Sequence, residues 1–238
     1  MTLDTTIHNR LGQPIGAPVP NWTARPRPSR EPIQGRYCRI EALNIACHTN
    51  DLFTAFSLDT SGHNWTYLSS EPWQTKEAML GWMHTTCLSD DPLFHTIIDA
   101  QTNRAVGIAA LMRIDPTNGV IEVGHIHFSP LLQKQRAGTE AIYLLMARVF
   151  DELGYRRFEW KCDALNAPTR AAAQRFGFQF EGIFRQAIVY KNRNRDTAWF
   201  AILDRDWPAL KIAYERWLDP SNFDGEGRQH QSLKLAGG

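Results

Sequence analysis

The 238-residue sequence is poor in cysteine and has no C-x-x-C pair. Cys38, Cys47, Cys87 and Cys162 are scattered, which argues against a disulfide framework and against a zinc site. No run approaches the ~18 apolar residues of a membrane span. The first residues hold no apolar core of a secretory signal. Charge of neither sign is in excess, because 26 Lys and Arg stand against 25 Asp and Glu. That balance removes the usual ground for a nucleic-acid or membrane-surface role. No internal repeat and no second linker is visible. The expectation is a cytoplasmic protein of a reducing compartment, with no metal, nucleic acid or membrane among its partners.

What is present fits one globular body. Apolar residues make up 43% of the chain, enough to bury a core at this length. Residues 1–34 are rich in Pro, Gly and Arg and read as an irregular arm, with Trp22 placed to pin it to the body. One domain is expected over 35–218, and 219–238 reads as a polar, Gly-rich, loosely ordered tail. Within the domain, apolar spacing predicts strands over 36–42, 93–99, 105–114, 120–128, 157–163, 179–191 and 196–203. Helices are predicted over 47–59, 74–89, 139–153, 167–176 and 207–217. This order makes a mixed α/β fold, with an antiparallel meander first and a parallel crossover later.

The segment from Phe128 to Ala141 carries the strongest chemical signal. A strand ends at Pro130, and a polar turn with Gln133 and Gly138 opens into an apolar helix. Such a turn aims unpaired N–H groups and the positive end of a helix dipole at one spot, where phosphate binds well. Arg136 stands where a glycine would let the backbone approach a phosphate more closely. Its guanidinium is itself a phosphate partner.

Four local matches now identify a resemblance. Glu122-Val-Gly124, the turn from Gln133 to Glu140, Asn166-Ala-Pro-Thr169 and Phe176-Gly-Phe178 with Glu181-Gly182 occur in that order. Together they resemble the GNAT superfamily of acetyl-CoA-dependent N-acetyltransferases, within it the branch of the ribosomal-protein alanine acetyltransferases. The resemblance covers roughly residues 35–205. It implies a GNAT-type fold, a central splayed mixed sheet with helices on both faces. It also implies acetyl-CoA as cosubstrate, with pyrophosphate on the turn. Phe128, Ser129, Gln133, Lys134, Gln135, Arg136, Ala137, Gly138, Thr139 and Asn166 are then the cofactor-binding candidates. Backbone N–H groups from His127 to Ser129 are expected to polarise the thioester carbonyl.

Acetyl transfer to an alkyl amine, whose pKa lies near ~10, needs a group that removes a proton. Glu122 is the first candidate, with a salt-bridged strand carboxylate as the alternative. His125 and His127 lie on one face of a strand, opposite Glu122 if the alternation is regular, but the resemblance implies a β-bulge in this strand, which would break it. Either can serve as a second candidate base. A His-x-His pair with no third ligand is a poor metal site. Asn166 reads as a helix N-cap, to which the resemblance adds a bond to the pantetheine arm. Thr169 matches a serine that in some members protonates the leaving thiolate. Trp65, Tyr67 and Trp73 fall where an acceptor-binding loop is expected, as substrate-binding or packing residues. Lys191, Arg193 and Arg195 form a basic turn, read as a solvated hairpin loop.

The expected activity is acetyl transfer to a primary amine of a protein N-terminus or a small molecule, with a homodimer compatible with it. The alternatives are a catalytically silent CoA-binding sensor or scaffold, and a ribosome or RNA partner acting through the 191–195 turn.

Overall fold

The computed structural model describes residues 7–235, so the ends of the arm and tail, 1–6 and 236–238, lie outside the described residues. A small ribbon, β1 (Ile7–His8) with β2 (Pro14–Ile15), precedes the body. There follow β3 (Ile33–Gln34), β4 (Cys38–Ala42), α1 (Ile45–Phe56), α2 (Lys76–Thr86), β5 (Leu93–Asp99), β6 (Ala105–Asp115) and β7 (Val120–Phe128). The chain continues with α3 (Arg136–Ala147), β8 (Arg157–Asp163), α4 (Ala167–Arg175), β9 (Gln179–Tyr190), β10 (Arg193–Leu203) and α5 (Trp207–Trp217).

Strands β3 to β10 form one sheet, ordered β3-β4-β5-β6-β7-β8-β10-β9. Every neighbouring pair is antiparallel except β7 and β8, which α3 joins in parallel. Ile121, Val123, Phe158, Trp160 and Phe200 pack with α3, α4 and α5 in the larger core. Phe94, Ile98, Ile108 and Ala110 pack with α1 and α2 on the opposite face. The mixed α/β order is therefore as the apolar spacing predicts, and the helices on both faces are as the resemblance implies.

The parallel pairing runs only from Val120 opposite Arg157 to Val123 opposite Trp160. Beyond that point β7 and β8 part, and the edge groups of β7 that face β8 have no strand partner. This split is the feature that positions the site.

Three elements begin earlier than predicted, α1 by two residues and α3 and β10 by three. Helix α3 starts at Arg136 rather than Thr139, because Lys134 turns the chain at φ 60° and Gln135 caps the helix in an extended conformation. A π-helical turn, Arg148–Glu152, then carries it to the predicted end. Strand β10 starts at Arg193, because Lys191 and Asn192, both at positive φ, close the hairpin in two residues.

Trp22 lies against the β6–β7 turn, its Nε1 donating to the Thr117 carbonyl at 2.7 Å. The arm also contributes edge strand β3. Past α5 the chain packs back on the body, with Phe223 buried against Trp217 and Leu218.

Candidate active site

The site grows from the end of β7. A bulge there sets two residues, His125 and Ile126, opposite Ala109, with His125 at φ 47°. Ile121 and Val123 face the α3 side, so Glu122 faces the α1–α2 side. After the bulge Ile126 and Phe128 face the α3 core. His127 instead stacks on Phe56 at 4.0 Å and meets the edge of Trp65 at 4.4 Å. His125 lies beside Phe94. The extra residue thus brings Glu122 and both histidines to one side of the sheet, where regular alternation would separate them.

Glu122 is buried and carries two cations on one oxygen. Its Oε2 lies 2.6 Å from Arg113 Nη1 and 2.7 Å from Lys161 Nζ. A second bulge, with Arg113 at φ 47°, aims the arginine there. Lys161 also pairs with Glu159 at 2.7 Å and lies 3.7 Å from the Trp199 ring centre. Glu122 Oε1 has no hydrogen-bond partner among the described residues and faces Gly124. A Cβ at Gly124 would run into the Met112 sulfur, so glycine there keeps room beside the carboxylate.

On the α3 side, three interlocked turns lead into the helix. The Ser129 carbonyl accepts from Leu132 and Gln133 N–H, Leu132 from Gln135, and Gln135 from Gly138. Gln133 Nε2 donates to the Phe128 carbonyl at 2.9 Å and fixes the turn to its strand. Arg136 and Ala137 N–H find no acceptor among the described residues, as befits a helix N-terminus. The Arg136 guanidinium leaves the cradle and lies 4.2 Å from the centre of the Tyr37 ring.

The turn opens on a cleft of about 950 Å3. Of the predicted cofactor residues, Phe128, Gln133, Lys134, Gln135 and Arg136 line it. So do Gly138, Thr139 and Asn166. Ala137 buries its side chain in the core and offers only main chain. Ser129 is fully buried, and its N–H donates to the Val106 carbonyl at 3.2 Å. That N–H is therefore engaged, and the His127 N–H, two residues back in the same ladder, faces Ile108 of β6 as well, so among the three expected thioester donors only Phe128 is a candidate.

Of the predicted catalytic and acceptor residues, His127, Thr169 and Tyr67 line the cleft. Glu122, His125, Trp65 and Trp73 do not. Trp65 is buried behind His127 and packs on Trp73 at 4.6 Å. Asn166 Oδ1 accepts from Thr169 N–H at 3.1 Å, the cap expected of it. In the basic turn, Lys191 donates to the Trp65 carbonyl and Arg193 to the Thr66 carbonyl. Both cations fasten the 65–66 loop.

Sequence reasoning missed His63, Asn64, Arg175, Trp217 and residues 226–229, which also line the cleft. An Asp59-x-x-Gly62 turn precedes the first two, and its carboxylate accepts from Gly62 and Asn64 N–H. That spacing marks a turn and carries no chemical signal. Among the described residues no group of three His, Cys, Asp or Glu side chains is placed to hold a metal ion.

Burial pushes His127 down to about 4, with Asp59 pulling the other way. Burial, and after it the Arg148 charge, pushes His95 on β5 to about 4. Both rings are neutral at pH 7. An unfolded histidine takes up its proton near pH ~6.5. Between those values the unfolded chain binds more protons than the folded one, so stability is whole above pH ~6.5 and falls towards pH ~4. The melting temperature is expected to drop steeply between pH ~6.5 and ~4.5, and His95→Leu to flatten the drop. Melts across a pH series check this, and an equal slope in the variant counts against His95.

The fold recurs in known proteins. Residues 40–179 match the acetyltransferase (GNAT) domain. A GCN5-related N-acetyltransferase of Brucella melitensis has a crystal structure similar to this chain at 51% identity and TM-score 0.88, covering 90% of this chain and 97% of that one. A probable GNAT-family acetyltransferase of Chromobacterium violaceum is similar at 38% identity and TM-score 0.77, covering 83% and 98%. The uncharacterized N-acetyltransferase YnaD of Bacillus subtilis is 28% identical over 86 residues, and the match spans 36% of this chain and half the length of that relative. No helix among the described residues is long and apolar enough to cross a membrane. The domain match and a half-identical neighbour of nearly equal extent agree, and the chain belongs to the GNAT family of acetyltransferases.

Proposed function

We propose that the chain moves the acetyl group of acetyl-CoA directly to a primary amine, on a protein N-terminus or a small molecule. One observation carries this reading. Where β7 and β8 part, the turn on the α3 side offers the unpaired N–H groups of a helix N-terminus, and Glu122, one residue before the parting, presents an unbonded oxygen on the α1–α2 side. The cosubstrate fits the turn by charge as well as by shape. Lys134, Arg136 and Arg175 line the cleft with no carboxylate partner among the described residues, and the α3 N-terminus adds its dipole.

Bound acetyl-CoA supplies a thioester whose C–S bond breaks as the amine nitrogen bonds to the carbonyl carbon. The chain's own residues orient and relay protons. The α3 N–H groups and the three cations hold the phosphates. The Phe128 N–H, on the β7 edge that faces away from β6, donates to the carbonyl oxygen. Glu122 Oε1 takes the amine proton, directly or through a water, while Arg113 and Lys161 fix the other oxygen. The Thr169 hydroxyl stands on the cleft wall to return a proton to the thiolate, and Asn166 borders the pantetheine path. Tyr67 shapes the acceptor end, with Trp65 and Trp73 behind His127 as its wall. Ser129 closes the turn through its carbonyl.

Thiol release from acetyl-CoA over a panel of amines tests the activity, and mass spectrometry of a treated cell extract identifies acceptors. CoA binding without thiol release on any acceptor would favour a sensor instead. Glu122→Gln keeps the shape and leaves Lys161 its bond to Glu159. It is expected to lower kcat about 100-fold, the usual worth of general-base help, with CoA affinity within about two-fold. An unchanged rate-against-pH profile would move the base to His125, His127 or bulk water.

A further inference from the structure

The chain after α5 lies beyond the matched domain, yet it is fastened along its length. Trp217 Nε1 donates to Gln229 Oε1 at 2.9 Å, and Phe223 pairs with Gln229 in a β-bridge. His230 N–H donates to the Asn222 carbonyl at 2.7 Å, and Gln231 N–H to Asn222 Oδ1 at 2.9 Å. Leu233 packs on the Trp217–Phe223 cluster, and Leu235 reaches the backbone of Gly177. So held, Phe223 and residues 226–229 form a wall of the cleft that the α3 N-terminus also lines.

That wall and the end of α5 beside it carry two arginines of the body on aromatic rings. Trp217 and Phe223 meet edge to face at 5.1 Å. The Arg136 guanidinium lies 5.2 Å from the Phe223 ring centre, with Tyr37 at 4.2 Å on it as well. Arg175 lies 5.5 Å from Trp217 and 5.4 Å from Phe176, and donates to Thr139 Oγ1 at 3.1 Å. Neither guanidinium has a carboxylate partner among the described residues. Arg228, by contrast, is tied to Asp224 at 2.8 Å and Glu226 at 3.1 Å, so its charge is answered within the segment.

A pyrophosphate on the α3 N-terminus is served by backbone N–H groups and the helix dipole. Two further guanidiniums, already ordered on rings, exceed that need and suit a second phosphate, because their rotamer freedom is surrendered before the ligand arrives. We infer that residues 219–235 form a fixed strap that completes the cosubstrate site, and that Arg136, shelved on its Phe223, and Arg175, shelved on the adjoining Trp217 of α5, receive the 3′-phosphate at the nucleotide end of CoA. The inference rests on the acetyl-CoA reading above. It also accounts for arginine at the first position of α3, since the side chain departs along Tyr37 and Phe223 and leaves the helix N–H groups clear.

The test compares CoA with 3′-dephospho-CoA by titration calorimetry, on the full chain and on Arg136→Ala and Phe223→Ala. The unchanged protein is expected to bind CoA about ten-fold more tightly than the dephospho form, the scale of one charge-assisted contact. Arg136→Ala should lose most of that preference. Phe223→Ala should raise the KM for acetyl-CoA several-fold and leave kcat within about two-fold, because the strap holds the ligand and not the reacting atoms. Equal affinity of the unchanged protein for the two ligands, or an undiminished preference in Arg136→Ala, overturns the inference while CoA binding itself stands. If the unchanged protein binds neither ligand, the acetyl-CoA reading fails first. Should Phe223→Ala not fold, the Arg136→Ala arm decides.

Discussion

Replacing Glu140 with alanine is expected to destabilise the protein by roughly 4 kcal/mol, the largest effect of any single change proposed for this chain. Glu140 sits in the second turn of α3 and is buried. Its carboxylate accepts the backbone N–H of Arg36 at 2.8 Å, of Tyr37 at 2.6 Å and of Cys38 at 2.7 Å. A carboxylate bonded by three N–H groups makes short, charge-assisted bonds worth about 1.5–3 kcal/mol each, and these do not simply add. Alanine removes both acceptor oxygens at once and leaves three donors facing a small void. Water can reach part of this loop, which is why the estimate sits below the full sum. The chain shows how closely it is wrapped. A Cβ on Gly35 would come within 2.6 Å of Glu140 Oε2 and 2.7 Å of the Cys38 carbonyl, so only glycine lets the loop close on the carboxylate. Urea unfolding of Glu140→Ala measures the loss, and a change below about 1 kcal/mol would refute the role. Glu140→Gln should fall between the two, since its amide oxygen still accepts while its NH2 faces donors. Because Glu140 ties β4 to the helix whose N-terminus forms the phosphate turn, the variant that remains folded should also bind CoA more weakly.

The sequence marks Glu140 only as the end of a local motif. Its three partners lie 102 to 104 positions earlier and share no pattern with it. This is the general limit on what was legible here. Strands β5, β7 and β8 and helix α5 have their predicted bounds because each is a run of apolar residues with its own period and its own stop signals. The turn into α3 was legible too, since strand, polar turn and helix follow one another in the chain. Its first helical residue was not, because a positive φ at Lys134 sets the start and lysine does not advertise one. The bulge at His125 followed from the family resemblance and not from the residues, whose plain alternation puts Glu122 on the other face. Asn166 could be read as a cap and is one. The cations of the 191–195 turn could be counted, but Lys191 and Arg193 find their acceptors on main-chain carbonyls of a loop more than a hundred residues away. The same holds for the tail. Its polar, Gly-rich composition describes solvent-facing residues well, and the few apolar ones that hold it, Phe223, Leu233 and Leu235, are too sparse to show a period.

Gly138→Asp is expected to weaken CoA binding by more than about 100-fold while the fold survives, and the two effects have opposite signs for a physical reason. Gly138 lies in the first turn of α3, on the cleft wall. Its φ is ordinary, so glycine is kept there for space. An added Cβ would come within 3.0 Å of the Leu132 carbonyl and 3.3 Å of the Phe128 ring, contacts that ask the turn to give by a few tenths of an ångström. A carboxylate in the first turn of a helix is favourable to the helix, by about 0.3–1 kcal/mol. That gain offsets part of the crowding, so stability should change little. The same carboxylate occupies the place an anionic ligand needs and repels it, in a site where each charge-assisted contact with phosphate is worth more than a neutral one. Gly138→Ala separates the two causes, since it adds the Cβ without the charge, and should weaken binding by about ten-fold at most. Calorimetric titration with CoA reads both variants, with melting temperature as the control for folding. If Gly138→Asp bound CoA within about three-fold of the unchanged protein, the phosphates would have to lie elsewhere, and the turn from Gln133 to Thr139 would be a structural connection between β7 and α3.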